Sequence, residues 1–222
     1  MQDRPNVASG VLLIDQIRQL RPLIAGGVRR PPCADQAMGA VDADMVLVAK
    51  GGYGDIDTLC AKLAACDWIA ERRNLLITGA SGLGKGWLAC AHGHKACREN
   101  MSVLYTRMPQ LFADLVIAHG DARYGRLLRS IARVKLLILD DWGPESLTPE
   151  QARDLLEIVE DRYDRGSLVI TSQVPVDRWH DMIGVPTLAD AILDRIVHNA
   201  YRVELAGESL RKRQTSPKSK HS

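Results

Sequence analysis

From about residue 75 onward, short apolar runs alternate with longer stretches of helical period. The runs at 75–78, 103–106, 136–140, 168–171 and 202–205 predict five strands. Between them, the clearest helical stretch puts Ala152, Leu155, Leu156, Val159 and Tyr163 on one face. Its start is marked by Thr148 as N-cap, Pro149 at the first helical position and Gln151 completing a capping box. Strands alternating with helices predict an α/β domain, a parallel sheet covered on both faces. The first 56 residues follow no such rhythm. Leu13, Ile17, Leu20 and Ile24 form a short stripe interrupted by Pro22, "RRPPC" reads as a turn or linker, and "MVLVAKGGYGD" as a lone strand with a glycine loop. The expected organisation is an irregular segment at 1–56, an α/β domain at 57–210 and a basic tail at 211–222.

Composition adds modest constraints. At 222 residues, 46% hydrophobic and 25% charged, the chain has the makings of one ordinary globular core. From Arg211 onward there are five basic residues and no acidic ones, so the rest of the chain is slightly acidic despite a net charge of +2. Five cysteines without a C-x-x-C pair suit a reducing compartment better than a disulfide framework. No apolar run approaches the roughly 20 residues that span a bilayer. Asp15 and Arg18 break the only stretch resembling a signal peptide. A cytoplasmic protein with no membrane contact is the expectation.

The chemistry starts at "LLITGASGLGKGW". A strand ends at Thr78, and Gly79, Ala80, Ser81, Gly82, Leu83, Gly84 and Lys85 have the spacing of a phosphate-binding loop opening a helix. Successive backbone N–H groups there form an anion nest, and Lys85 supplies a mobile positive charge. The next position, where a serine or threonine hydroxyl would meet Mg²⁺, is Gly86. A second motif, "KLLILDDWG", places Asp140 and Asp141 at the C-terminal end of a buried strand, the edge where open α/β sheets bind ligands. Asp140 suits a metal carboxylate and Asp141 a general base acting on water. A third strand, "LVITSQVP", ends in Gln173, whose amide is placed to reach between phosphate and water, or else merely closes the strand before a turn.

In "DARYGRLLRSIARVK", Arg123, Arg126, Arg129 and Arg133 follow helical spacing opposite an apolar face of Tyr124, Leu127, Leu128 and Ile131. Such a row binds phosphates without reading sequence; the plainer reading is a solvated face. Cys90, His94 and Cys97, with His92 nearby, have a metal-like spacing. They fall on the helix after the loop, where packing against the sheet is the expected role.

"CDWIAERRNLLITGASGLGKGWLACAHGHKACREN", "LLILDDWG", "VITSQVPVDRWHDMIG", "PTLADAILDRIVHNA" and "GESLRKR" together resemble the IstB-type ATP-binding proteins of insertion sequences, relatives of the DnaC-type helicase loaders within the AAA+ ATPases. The resemblance implies ATP and Mg²⁺ as cofactors, binding of double-stranded DNA, homo-oligomers, and engagement of the transposase of the same insertion sequence. It implies that Arg195 serves a neighbouring subunit's nucleotide as an arginine finger and that Arg211 senses phosphate within its own subunit. Residues 1–56 do not resemble the compact helical domain with which the family usually begins, so a replaced domain and a reading frame disturbed upstream are both open. Gly86 also departs from the pattern. ATP or ADP is expected to bind, with weakened Mg²⁺ dependence and slowed hydrolysis. A non-hydrolysing nucleotide-binding scaffold and a loader of replicative helicase are the alternatives.

Overall fold

The computed structural model describes residues 46–50, 56–143 and 145–207, which build one six-stranded sheet between two layers of helices. The strands are β1 (Val46–Lys50), β2 (Asn74–Gly79), β3 (Val103–Arg107), β4 (Leu136–Trp142), β5 (Ser167–Ser172) and β6 (Ala200–Ala206), in the order β1-β6-β2-β5-β4-β3. The five expected strands run parallel, each one to three residues longer than its apolar run. β1 is not a lone strand, because it pairs antiparallel with β6 from Val46↔Ala206 to Lys50↔Arg202. Its partner lies across the whole domain in sequence, a relation that no local pattern carries.

Leu75, Leu76 and Ile77 on β2, and Leu136, Leu137, Ile138 and Leu139 on β4, are all buried. Such continuous apolar runs belong to strands covered on both faces. Each fully buried side chain of this size contributes about 1.5–3 kcal/mol. Alternation sorts them. Leu75, Ile77, Leu136, Ile138, Val169 and Val203 face α1 (Ile56–Ala65), α2 (Asp67–Ala70) and α3 (Lys85–Arg98). Leu76, Leu137, Leu139, Leu168 and Ile170 face α4 (Met108–Gly120), α5 (Tyr124–Arg133), α6 (Pro149–Arg162), α7 (Trp179–Ile183) and α8 (Pro186–Val197).

α6 starts as its sequence predicts: the Gln151 N–H donates to the Thr148 hydroxyl, and the Gln151 side chain accepts from the Thr148 N–H at 2.9 Å. Its inward stripe is Ala152, Leu155, Ile158 and Val159. Tyr163 does not belong to that stripe. The helix stops at Arg162, Tyr163 leaves it with ψ 128°, and its side chain is exposed. The buried residue of the last turn is Arg162, whose guanidinium donates to the carbonyls of Ile131 (2.7 Å), Val134 (3.1 Å), Lys135 (3.4 Å) and Ser167 (2.8 Å). Burial pushes its pKa down to about 10. None of the described helices is long and apolar enough to cross a membrane.

Candidate functional site

The segment after β2 turns sharply because it holds glycine where side chains would fail. A Cβ on Gly79 would fall 2.4 Å from the Leu205 carbonyl oxygen of β6. Gly84, with φ 86°, takes the left-handed conformation that starts α3, a 14-residue helix whose first N–H groups face the loop. Leu83 is buried and anchors the turn, while Ala80 and Ser81 are exposed. Lys85 curls back over the loop, donating to the carbonyls of Gly79 (2.7 Å) and Ala80 (2.8 Å). Desolvation holds its ammonium below the usual lysine range, although Asp140 and Asp141 pull the other way. The loop and the two carboxylates therefore share one site at the C-terminal edge of the sheet.

Asp140 and Asp141 differ more than their adjacency suggests. Leu139 pairs with Ile170 and Trp142 with Ser172, so two residues of β4 stand against one of β5, forming a β-bulge. Asp140 keeps its rung opposite Arg107 of β3. Asp141 is the bulged residue, at φ 63°, and its N–H donates to the Thr171 hydroxyl at 2.9 Å rather than to a carbonyl of the ladder. The extra residue also resets the alternation, so Trp142 turns to the α4–α8 face and packs against Trp179, with centroids 4.5 Å apart and the rings tilted by 37°.

Three partners of these carboxylates carry no mark in sequence. The Tyr105 hydroxyl donates to Asp140 Oδ2 at 2.6 Å, and the Thr171 hydroxyl donates to Asp140 Oδ1 at 2.5 Å. Arg107, exposed at the end of β3, forms an ion pair with Asp141 Oδ2 that raises its pKa further. Strand order and register bring them there: β3 and β5 flank β4, Arg107 stands opposite Asp140 with Tyr105 two residues back opposite Ile138, and Thr171 faces the bulge.

Gly86 lies directly under this cluster. A Cβ built on it would sit 3.0 Å from both Asp140 oxygens, tighter than ordinary contact, so glycine lets the carboxylate lie close against the helix start. A carboxylate with lone pairs to spare fits a hard cation, and the nearby Lys85 ammonium fits the phosphate that would carry it.

The other expected residues are spread more widely. Gln173 is exposed just past β5, the strand between the loop strand and the carboxylate strand. Arg195, on α8, accepts at its carbonyl from the amide of Asn74, the first residue of β2. Five residues of strand separate that end from the loop, roughly 17 Å. The Arg195 guanidinium donates to Ala191 O at 2.8 Å and pairs with Glu160 at 3.0 Å. Arg211 lies outside the described residues. Arg126, Arg129 and Arg133 are exposed on α5, while Arg123 precedes the helix and pairs with Asp121.

His92 packs inside the α1–α3 core, edge-on to Trp68 at 6.1 Å, and its Nε2 has no hydrogen-bond partner. Among the described residues no group of three or more histidine, cysteine or acidic side chains is arranged to hold a metal.

Comparison with known proteins agrees with this geometry. The family described as IstB-like ATP binding protein matches residues 54–218. An insertion-sequence ATP-binding protein of Sinorhizobium fredii is 62% identical over 156 residues, which are 70% of this chain and 64% of that protein. A second from the same organism is 50% identical over 173 residues, 78% of this chain and 69% of the relative. The IS21 ATP-binding protein of Pseudomonas aeruginosa is 33% identical over 150 residues, 68% of this chain and 57% of its own length. The chain thus spans under two thirds of two of these relatives.

Among solved structures, DnaI aligns with a TM-score of 0.59 at 24% identity, covering 70% of this chain and 88% of its own. The DnaC helicase loader aligns with a TM-score of 0.56 at 18% identity, covering 70% and 94%. These likenesses establish an AAA+ P-loop fold. Because the family match takes in every strand from β2 onward, together with the loop and both carboxylates, the chain belongs to the family of IstB-like ATP binding proteins.

Proposed function

We propose that this chain is the ATP-binding helper of an insertion sequence, a DNA-binding ATPase of the cytoplasm that assembles with its own copies and engages the transposase of the same element. One observation carries the nucleotide part: Lys85 lies close enough to Asp140 and Asp141 for both carboxylates to act on its charge, beneath a helix start free of side chains at three glycines. In this reading the N–H groups of residues 80–86 receive the β-phosphate. Lys85 leaves the carbonyls of Gly79 and Ala80 to meet the β- and γ-phosphates. Asp140 would hold Mg²⁺, which when bound neutralises charge between those phosphates. Asp141 takes the proton of a water that attacks the γ-phosphorus as the bond to ADP breaks, and Gln173 orients that water.

Arg126, Arg129 and Arg133 give α5 an outward cationic face suited to a DNA backbone. Arg195 serves a neighbour's nucleotide in this reading, which its distance from its own loop supports. Arg211, by the family resemblance, completes the phosphate contacts.

The test is equilibrium binding of a fluorescent ATP analogue to the chain and to Lys85→Ala. Phosphate release is measured with and without duplex DNA, and assembly size by light scattering. Tight binding lost in Lys85→Ala and turnover stimulated by DNA are expected. Equal binding by both proteins sinks the reading. Gly86 and the Arg107–Asp141 ion pair favour a second possibility, a scaffold that holds nucleotide and hardly cleaves it. It predicts the same binding with no DNA-stimulated turnover.

A further inference from the structure

Both oxygens of Asp140 are occupied by hydroxyl donors, one from each neighbouring strand. Thr171 of β5 donates to Oδ1 at 2.5 Å and Tyr105 of β3 donates to Oδ2 at 2.6 Å. Both distances lie in the short range of hydroxyl-to-carboxylate bonds. The Tyr105 ring is half-buried against the α1–α3 core, so its hydroxyl is delivered from a fixed direction. Thr171 is itself buried, and the same oxygen accepts the Asp141 N–H, so one side chain sets the relative placement of both acids.

The close approach at Gly86 gives this pair its meaning. Its missing Cβ would lie 3.0 Å from Oδ1 and from Oδ2, so position 86 faces the carboxylate directly and, as glycine, offers it no hydroxyl. We infer that Tyr105 and Thr171 are positioning residues for the cation-binding carboxylate, supplying from the flanking strands the hydroxyl restraint that position 86 lacks. An ionised carboxylate has about four lone-pair sites, and these bonds use two. The remaining two are left for a cation. Asp140 is thereby held from both neighbouring strands, and the absent hydroxyl costs the site a ligand but not the orientation of its acid.

This assignment rests on the nucleotide reading above, and its test separates the two. Binding of a fluorescent ADP analogue is titrated with Mg²⁺, and separately in EDTA, for the wild-type chain, Tyr105→Phe, Thr171→Val and Thr171→Ser. Removing a hydroxyl that orients a metal's ligand costs roughly ten-fold or more in metal affinity. The Mg²⁺ midpoint should therefore rise about ten-fold in Tyr105→Phe and in Thr171→Val. It should stay at the wild-type value in Thr171→Ser, and affinity in EDTA should be equal in all four proteins. An unchanged midpoint in Tyr105→Phe overturns the assignment alone, as does equal weakening with and without Mg²⁺, the mark of a merely structural role. Failure of the wild-type chain to bind ADP under either condition overturns the nucleotide reading and this assignment together.

Discussion

Acid should loosen this fold through His92. Its imidazole is enclosed by the α1–α3 core with Nε2 unpartnered, and burial pushes its pKa from 6.5 down to about 4. In the unfolded chain a histidine titrates near 6.5. The folded value is the lower one, so the unfolded state takes up the proton first. The histidine's contribution is complete above pH 6.5 and is lost as pH falls toward 4. One pH unit within that window is worth about 1.4 kcal/mol. The loss is then roughly 2 kcal/mol at pH 5 and about 3 kcal/mol by pH 4. Set against the 5–15 kcal/mol typical of a domain, that is a large fraction. Urea unfolding of the chain and of His92→Leu, each at pH 8 and pH 5, measures it. The drop in stability between the two pH values should be about 2 kcal/mol smaller in the variant. Carboxylates and the other histidines contribute equally to both proteins and cancel. The same drop in both would refute the reasoning.

Two further outcomes follow from packing and charge. Arg162→Met should lower stability by about 3–4 kcal/mol, because four carbonyls from α5, the turn after it and β5 lose a shared donor. Arg162→Lys should recover little, since an ammonium cannot span the same fork, and urea midpoints decide both. Replacing Arg126, Arg129 and Arg133 with glutamine should weaken duplex DNA binding at every sequence tested. It should also flatten the plot of log affinity against log salt by about one unit for each phosphate no longer neutralised. Unchanged affinity and slope would show that α5 presents only a solvated face.

Most of the sheet can be read from the chain because its central strands are buried on both sides. "LLI", "LLIL" and "LVI" have no polar residue to accommodate, and each ends where polar residues begin, at Thr78, Asp140 and Thr171. The phosphate loop and Asp140 are legible for the same reason, since they lie where a strand must stop. What stays hidden depends on neighbours distant in sequence. β1 looks solitary until β6 arrives 150 residues later. Tyr105, Arg107 and Thr171 resemble ordinary strand residues, and only the register between β3, β4 and β5 brings them to the acids. Tyr163 fits the helical period of α6, yet it lies past the point where the helix ends, and a periodic pattern carries no record of that end. Arg162 reads as one more surface charge, although its place beneath α5 makes it part of the interior.

The bulge in β4 gives two adjacent acids different mechanical circumstances. Asp140 is a rung of the sheet, and moving its backbone would mean parting β4 from β3. Asp141 is surplus to the ladder, with its N–H bonded to a side chain instead of a strand. Its backbone is tied to β5 through that hydroxyl, and its carboxylate to β3 through Arg107. A single residue in excess thus gives two adjacent acids different anchors, one through the main chain of the sheet and one through side chains alone.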